Sequence, residues 1–93
     1  MRRYKMRTDL IKIPNVGPNT KEDLINIGIT SVEDLKGKDP EKLYQKDCDF
    51  KGYQEDKCQL YVFRMAVYYA DNEIYDDKKL KWWYWKDKKY PEK

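Results

Sequence analysis

The 93-residue sequence predicts an all-α fold, a compact bundle of about five to six helices around one long central helix. Start and stop residues recur at helical distances: Pro18 and Pro40 suit first turns, and Gly28 and Gly37 suit left-handed stops. Thr20, Leu24 and Ile27 are spaced by four and three, which puts them on one helix face. Residues 55–70 read as one long helix. Its Cys58, Tyr61, Val62, Met65, Ala66, Tyr68 and Tyr69 fill most of the circumference, as a helix wrapped by others requires.

In chain order, Thr8 or Asp9 can cap a short helix over residues 10–13, which stops at Pro14 because the ring lacks an N–H donor and restricts its predecessor. Pro14-Asn15-Val16-Gly17 is then a tight turn, with Asn15 and Gly17 suited to positive φ and Val16 pointing inward. Pro18 starts the next helix and Gly28 ends it. Thr30-Ser31-Val32-Glu33 has the form of a capping box, Thr30 and Glu33 satisfying each other's free donors, and opens a third short helix closed by Gly37. Asp39-Pro40-Glu41 starts a fourth helix carrying Leu43 and Tyr44, and residues 49–54 form a break. After the long helix, residues 72–77 connect to a last short helix or ordered tail at 78–86, with Asp76 or Asp77 as its cap.

The length is that of one domain, 1–93, with a flexible basic arm at 1–7 and a flexible tail at 87–93 as its expected ends. Charged residues make up 40% of the chain, so a small core must be covered by its nine Tyr and three Trp, which keep polar tips in water. No stretch approaches the roughly 20 apolar residues of a membrane span, and the basic start is not followed by an apolar secretory segment. The expectation is a cytoplasmic protein with no membrane partner. The net charge of +3 is unevenly spread: residues 1–7 carry four bases, residues 78–93 carry seven Lys against two acids, and the centre has a net charge of −6.

Ile13-Pro14-Asn15-Val16-Gly17-Pro18-Asn19-Thr20, followed by Leu24 and Gly28-Ile29, resembles the helix-hairpin-helix motif of non-sequence-specific DNA-binding proteins. With Ser31-Val32-Glu33-Asp34-Leu35, Asp39-Pro40-Glu41-Lys42-Leu43-Tyr44, residues 58–64 and Leu80-Lys81-Trp82-Trp83-Tyr84-Trp85-Lys86-Asp87, the likeness extends to the bacterial pathogenicity-locus family first named from clostridia. Some members of that family carry a mitomycin-resistance label. The resemblance implies a small helix-hairpin-helix protein that binds DNA weakly through its backbone, with a link to DNA damage or repair. In such motifs free N–H groups at the start of the second helix hold a phosphate, aided by the helix dipole. Here the implied donors are Val16, Gly17, Asn19 and Thr20, with Asn15 and Lys21 beside them. Backbone contact of this kind carries little sequence preference. The sequence departs from the motif at Asn15, where a glycine is usual, and at Lys21, where a small residue is usual, and Glu22-Asp23 follow directly. The alternative is an adaptor for a protein partner, in which the motif is only structural.

A second candidate surface is the tail, where Trp82, Trp83 and Trp85 interleave with lysines and combine stacking planes with phosphate-seeking charge, Lys81, Trp82, Trp85 and Lys86 being its candidate residues; the competing reading is an aromatic lid over the core. Arg64, inside the most apolar helix, is expected to reach solvent or pair with an acid such as Asp34 or Glu33. Cys48 and Cys58, with no His in the chain, cannot make a structural zinc site, and they read as reduced, buried thiols rather than a redox pair. No metal, cofactor or small-molecule substrate is expected. Without His, a Gly-rich phosphate loop or a nucleophile-base spacing, the residues point to binding and not to catalysis.

Overall fold

In a computed structural model that describes residues 9–90, the chain begins as a 3-10 helix, η1 (Asp9–Lys12). Its period outlasts it. Ile13 N–H donates to the Leu10 carbonyl and Val16 N–H to that of Ile13, both at 3.1 Å, so Leu10, Ile13 and Val16 stay three apart and all are buried. Of the two turn residues suited to positive φ, only Asn15 adopts it, at 67°; Gly17 is extended, with φ −96° and ψ −169°.

Helix α1 (Pro18–Asn26) starts on Pro18 and closes on Gly28, whose φ is 96°. Gly28 N–H donates to Ile25 and Ile29 N–H to Leu24, the double bond of a Schellman ending, and the buried pair Leu24 and Ile29 supplies its apolar contact. Helix α2 (Val32–Leu35) has its cap one residue later than the sequence suggests: Ser31 Oγ accepts from Asp34 N–H. Asp34, not Glu33, reaches back, accepting at 3.0 Å from both the N–H and the hydroxyl of Thr30, bonds that hold its carboxyl below the usual range. Asp9 also serves this helix, accepting from Val32 N–H at 2.9 Å across 23 residues of chain.

Helix α3 (Pro40–Lys51) is capped by Asp39 and runs past the expected break, ending at Gly52 with φ 82°. Its buried positions are 40, 43, 44, 47 and 48, one continuous helical stripe. Helix α4 (Lys57–Asp71), capped by Asp56, is the central helix the composition anticipates, buried at Leu60, at 63–68 and at Ala70. α2, α3 and the C-terminal segment pack around it. That last segment is two 3-10 helices, not one helix: η2 (Asp77–Leu80), capped by Asp76, and η3 (Trp82–Asp87).

The described residues thus hold four α-helices and three 3-10 helices with no strand, an all-α bundle. No helix among them is long and apolar enough to cross a membrane. The chain stays packed through Tyr90, where a tail was expected from 87. The Tyr90 ring lies against Tyr68 and Trp85, and its hydroxyl donates to Asp71 at 2.6 Å. The arm at 1–7 and residues 91–93 lie outside the described residues.

The cysteines divide. Cys48 is buried and its sulfur accepts from Glu55 N–H at 3.3 Å, whereas Cys58 is exposed on the first turn of α4, contrary to the expectation that both are buried. Exposure does not make Cys58 reactive, because its hydrogen bond to the Asp56 carboxylate pushes the thiol up from its ordinary value. A thiol reagent at neutral pH should therefore label Cys58 slowly and Cys48 only when the protein opens. Fast reaction of two equivalents in the native state would contradict this arrangement.

Candidate nucleic-acid interface

The start of α1 has no side-chain cap. Lys21 N–H makes the first internal bond, to the Gly17 carbonyl at 2.9 Å, and Pro18 has no N–H. The Val16 donor is already committed to Ile13 and its side chain is buried, which removes Val16 from the set the motif implies. Gly17, Asn19 and Thr20 N–H are left at the positive end of the helix dipole without a partner among the described residues. A Cβ built on Gly17 would meet no atom within 4 Å, so the backbone there faces open space. Asn19 is exposed, and Thr20 and Lys21 are half-buried.

Asn15 ties this turn to the other candidate surface. Its amide donates to the Leu80 carbonyl at 3.3 Å, across 65 residues of sequence. Lys81 and Trp82 follow Leu80 directly, so the open donors of α1 and the start of the lysine-bearing segment are neighbours.

The tail aromatics separate into two roles. Trp85 is fully buried, its indole N–H donating to the Lys79 carbonyl at 2.9 Å and its ring tilted against Tyr68 at 5.7 Å. A ring with no exposed face cannot stack on a base, so Trp85 leaves the candidate surface and the lid reading holds for it. Trp82 is half-buried and stacks on Tyr61 of α4, centroids 6.5 Å apart and planes within 7° of parallel. Trp83, the third tryptophan of the run, is 54% exposed, with the Lys81 ammonium 5.9 Å from its ring centre. Lys86 is exposed and lies near Cys58, where its charge pulls the thiol down.

A family model described as Cdd1: Pathogenicity locus matches residues 3–90. The chain belongs to the pathogenicity-locus family. No curated protein and no solved structure matched it.

Two charged sites hold this pathogenicity-locus fold together. Arg64, 6% exposed, pairs with Glu41 at 2.6 Å and not with Asp34 or Glu33; it also donates to the carbonyls of Trp85 at 2.7 Å and Lys88 at 3.1 Å. It does not snorkel to solvent: Nη1 and Nη2 pin η3 and the segment after it to α4 and bond Glu41, while Nε is buried without a partner among the described residues. The second site gathers Asp23, Asp47 and Glu55, whose oxygens lie within 4.8 Å of one another, around the Lys51 ammonium. Lys51 stands 3.0 Å from Asp23 and 3.9 Å from the buried Asp47, and bonds Glu55. Gln59 donates to Asp23 and Asp47 at 2.7 and 3.0 Å. Burial works against the ammonium, but its hydrogen bonds to the Glu55 and Asp23 carboxylates outweigh it and hold Lys51 above its ordinary value. Burial pushes Asp47 up, against the Gln59 bond that pulls it down. Folded Asp47 thus keeps a proton to higher pH than the unfolded chain does, so acidification through that range favours folding at this site. Asp23 and Glu55 are visible in sequence only as members of the adjacent acid pairs Glu22-Asp23 and Glu55-Asp56, and the cluster itself is not, since Asp23, Asp47, Lys51 and Glu55 come from two helices and a loop and share no motif.

Proposed function

We propose that this protein binds the backbone of nucleic acid, DNA first, through residues 9–29 acting as a helix-hairpin-helix and through the adjacent lysine-bearing segment, without catalysing a reaction. The observation that carries this reading is the Asn15–Leu80 bond, which ties the turn just before the three uncommitted N–H donors to the start of the basic stretch. One phosphate accepts from Gly17, Asn19 and Thr20, and the Thr20 hydroxyl and Lys21 stand beside them. Lys81 meets a neighbouring phosphate. Contacts of this kind hold position and read no bases.

The acids of the central region, including Glu22 next to Lys21, limit the affinity. A dissociation constant on the order of 10⁻⁴ to 10⁻⁶ M follows, with a log-log salt slope of about −2 to −3 for two or three phosphates. Gly17→Ala tests the reading cleanly. Its φ suits alanine and its Cβ meets no neighbour, so thermal unfolding should not move, while the methyl stands where the phosphate approaches. Affinity should fall about tenfold, the scale of one hydrogen bond to a charged group. Lys81→Ala should flatten the salt slope by about one unit. The second reading, a protein-interaction adaptor, is favoured by the net −6 of the centre and gains if Gly17→Ala binds DNA as well as the parent does.

A further inference from the structure

Resting on that reading, we infer that the preferred ligand is a single strand, with the exposed ring of Trp83 as the plane on which an unpaired base stacks. The C-terminal aromatics are arranged as a supported platform. Tyr61 of α4 backs Trp82 in a near-parallel stack, and Trp82 meets Trp83 edge-on, centroids 5.7 Å apart and planes at 86°. Trp83 is thereby held by an ordered neighbour while more than half of its own surface faces water. Buried Trp85, two residues on, anchors the same 3-10 helix into the core, so the platform does not depend on a loose tail.

Position and charge both favour a nucleic-acid strand as the occupant. Trp83 is three residues from Leu80, whose carbonyl Asn15 holds, so its Cα lies within about 11 Å of that of Leu80 by chain length alone. A strand of a few nucleotides can place a phosphate on the α1 donors and a base on Trp83. A duplex keeps its bases stacked inside and offers Trp83 nothing but backbone. Lys81 lies over the indole at a cation-π distance, and Lys86, Lys88 and Lys89 are exposed nearby in sequence. An incoming base displaces the Lys81 ammonium from the ring toward the adjoining phosphate. The exchange is favourable because base stacking on an aromatic is stronger than an exposed cation-π contact.

The test compares binding of the full chain to fluorescein-labelled oligothymidylate and to a duplex of equal length, at two salt concentrations, for the parent, Trp83→Ala and Trp83→Phe. Trp83 is more than half exposed, so unfolding of both variants should stay close to that of the parent. The expected result is tighter binding of the single strand by the parent, a loss of roughly tenfold in Trp83→Ala for that strand alone, and recovery of most of it in Trp83→Phe, which keeps an aromatic face. Equal affinity for both ligands with no effect of Trp83→Ala would overturn the single-strand inference and leave backbone binding standing. Salt-independent or absent binding of both ligands would overturn backbone binding itself, and the inference with it, leaving the Trp83 face to a protein partner.

Discussion

Trp85→Ala is expected to destabilise the protein by about 3–5 kcal/mol, the range for removing a buried Trp or Phe from a packed core. The upper half of that range applies. Trp85 has no exposed surface, and its ring contacts Tyr68, Tyr84 and Tyr90, so no single neighbour can collapse into the space left behind. Losing the indole also strips the Lys79 carbonyl of its 2.9 Å donor. A domain of this size is stable by about 5–15 kcal/mol in total, so the variant should melt tens of degrees lower or fail to fold at 37 °C. Trp83→Ala, two residues away, should change the melting temperature little, because that ring is largely in water. Urea denaturation of the two variants side by side checks both statements. Equal stabilities would mean that the C-terminal segment does not close the core.

Arg64→Met has the second large effect, about 2–4 kcal/mol. Breaking a buried ion pair by removing one partner costs about 3–5 kcal/mol when the remaining charge is stranded. Glu41, however, is 42% exposed and can be rehydrated, which lowers the cost. What remains is the loss of two charge-assisted bonds at about 1.5–3 kcal/mol each, an upper limit here because the Trp85 carbonyl keeps the 3.4 Å bond from Lys88 N–H and Lys88 is exposed to water. Glu41→Gln separates the contributions. It keeps an acceptor for the guanidinium and leaves both carbonyl bonds intact, so it should cost no more than about 1 kcal/mol. If Glu41→Gln proved as damaging as Arg64→Met, the ion pair and not the carbonyl clamp would be the main contribution.

Local chemistry made most of the helices legible. The Gly28 stop, the Asp39-Pro40 start and the apolar girth of α4 each depend on residues a few positions apart, and each appears as expected. Errors arose where two neighbouring residues could do the same job. Thr30 and Ser31 both offer a hydroxyl, and Glu33 and Asp34 both offer a carboxylate; the extended backbone at Ser31 decides in favour of Ser31 and Asp34. Asn15 and Gly17 both suit positive φ, and Asn15 takes it. The second half of α3 was hidden because its buried stripe holds Asp47 and Cys48, where an apolar period would need larger aliphatic residues. Tertiary partners were not legible: Arg64 finds Glu41 at 23 residues, and Asn15 finds Leu80 at 65, with no local pattern linking either pair. In the candidate interface, residues 15–21 were found by their motif, but which N–H groups remain free depends on the 3-10 continuation through Val16. Sequence offers Trp82, Trp83 and Trp85 alike as stacking planes and cannot tell which of them turns inward; the fold buries Trp85 and leaves Trp83 54% exposed.

The most direct test of nucleic-acid binding at the α1 start is a titration of ¹⁵N-labelled protein with a short DNA, followed amide by amide. The predicted result is a salt-sensitive displacement of the Gly17, Asn19, Thr20 and Lys81 signals, with Val16 moving less because its N–H stays bonded to Ile13, and with the Asp47–Lys51 side of α3 unmoved. Saturating DNA that leaves the Gly17, Asn19 and Thr20 amides in place would contradict it, whether the shifts fall on another face or do not occur.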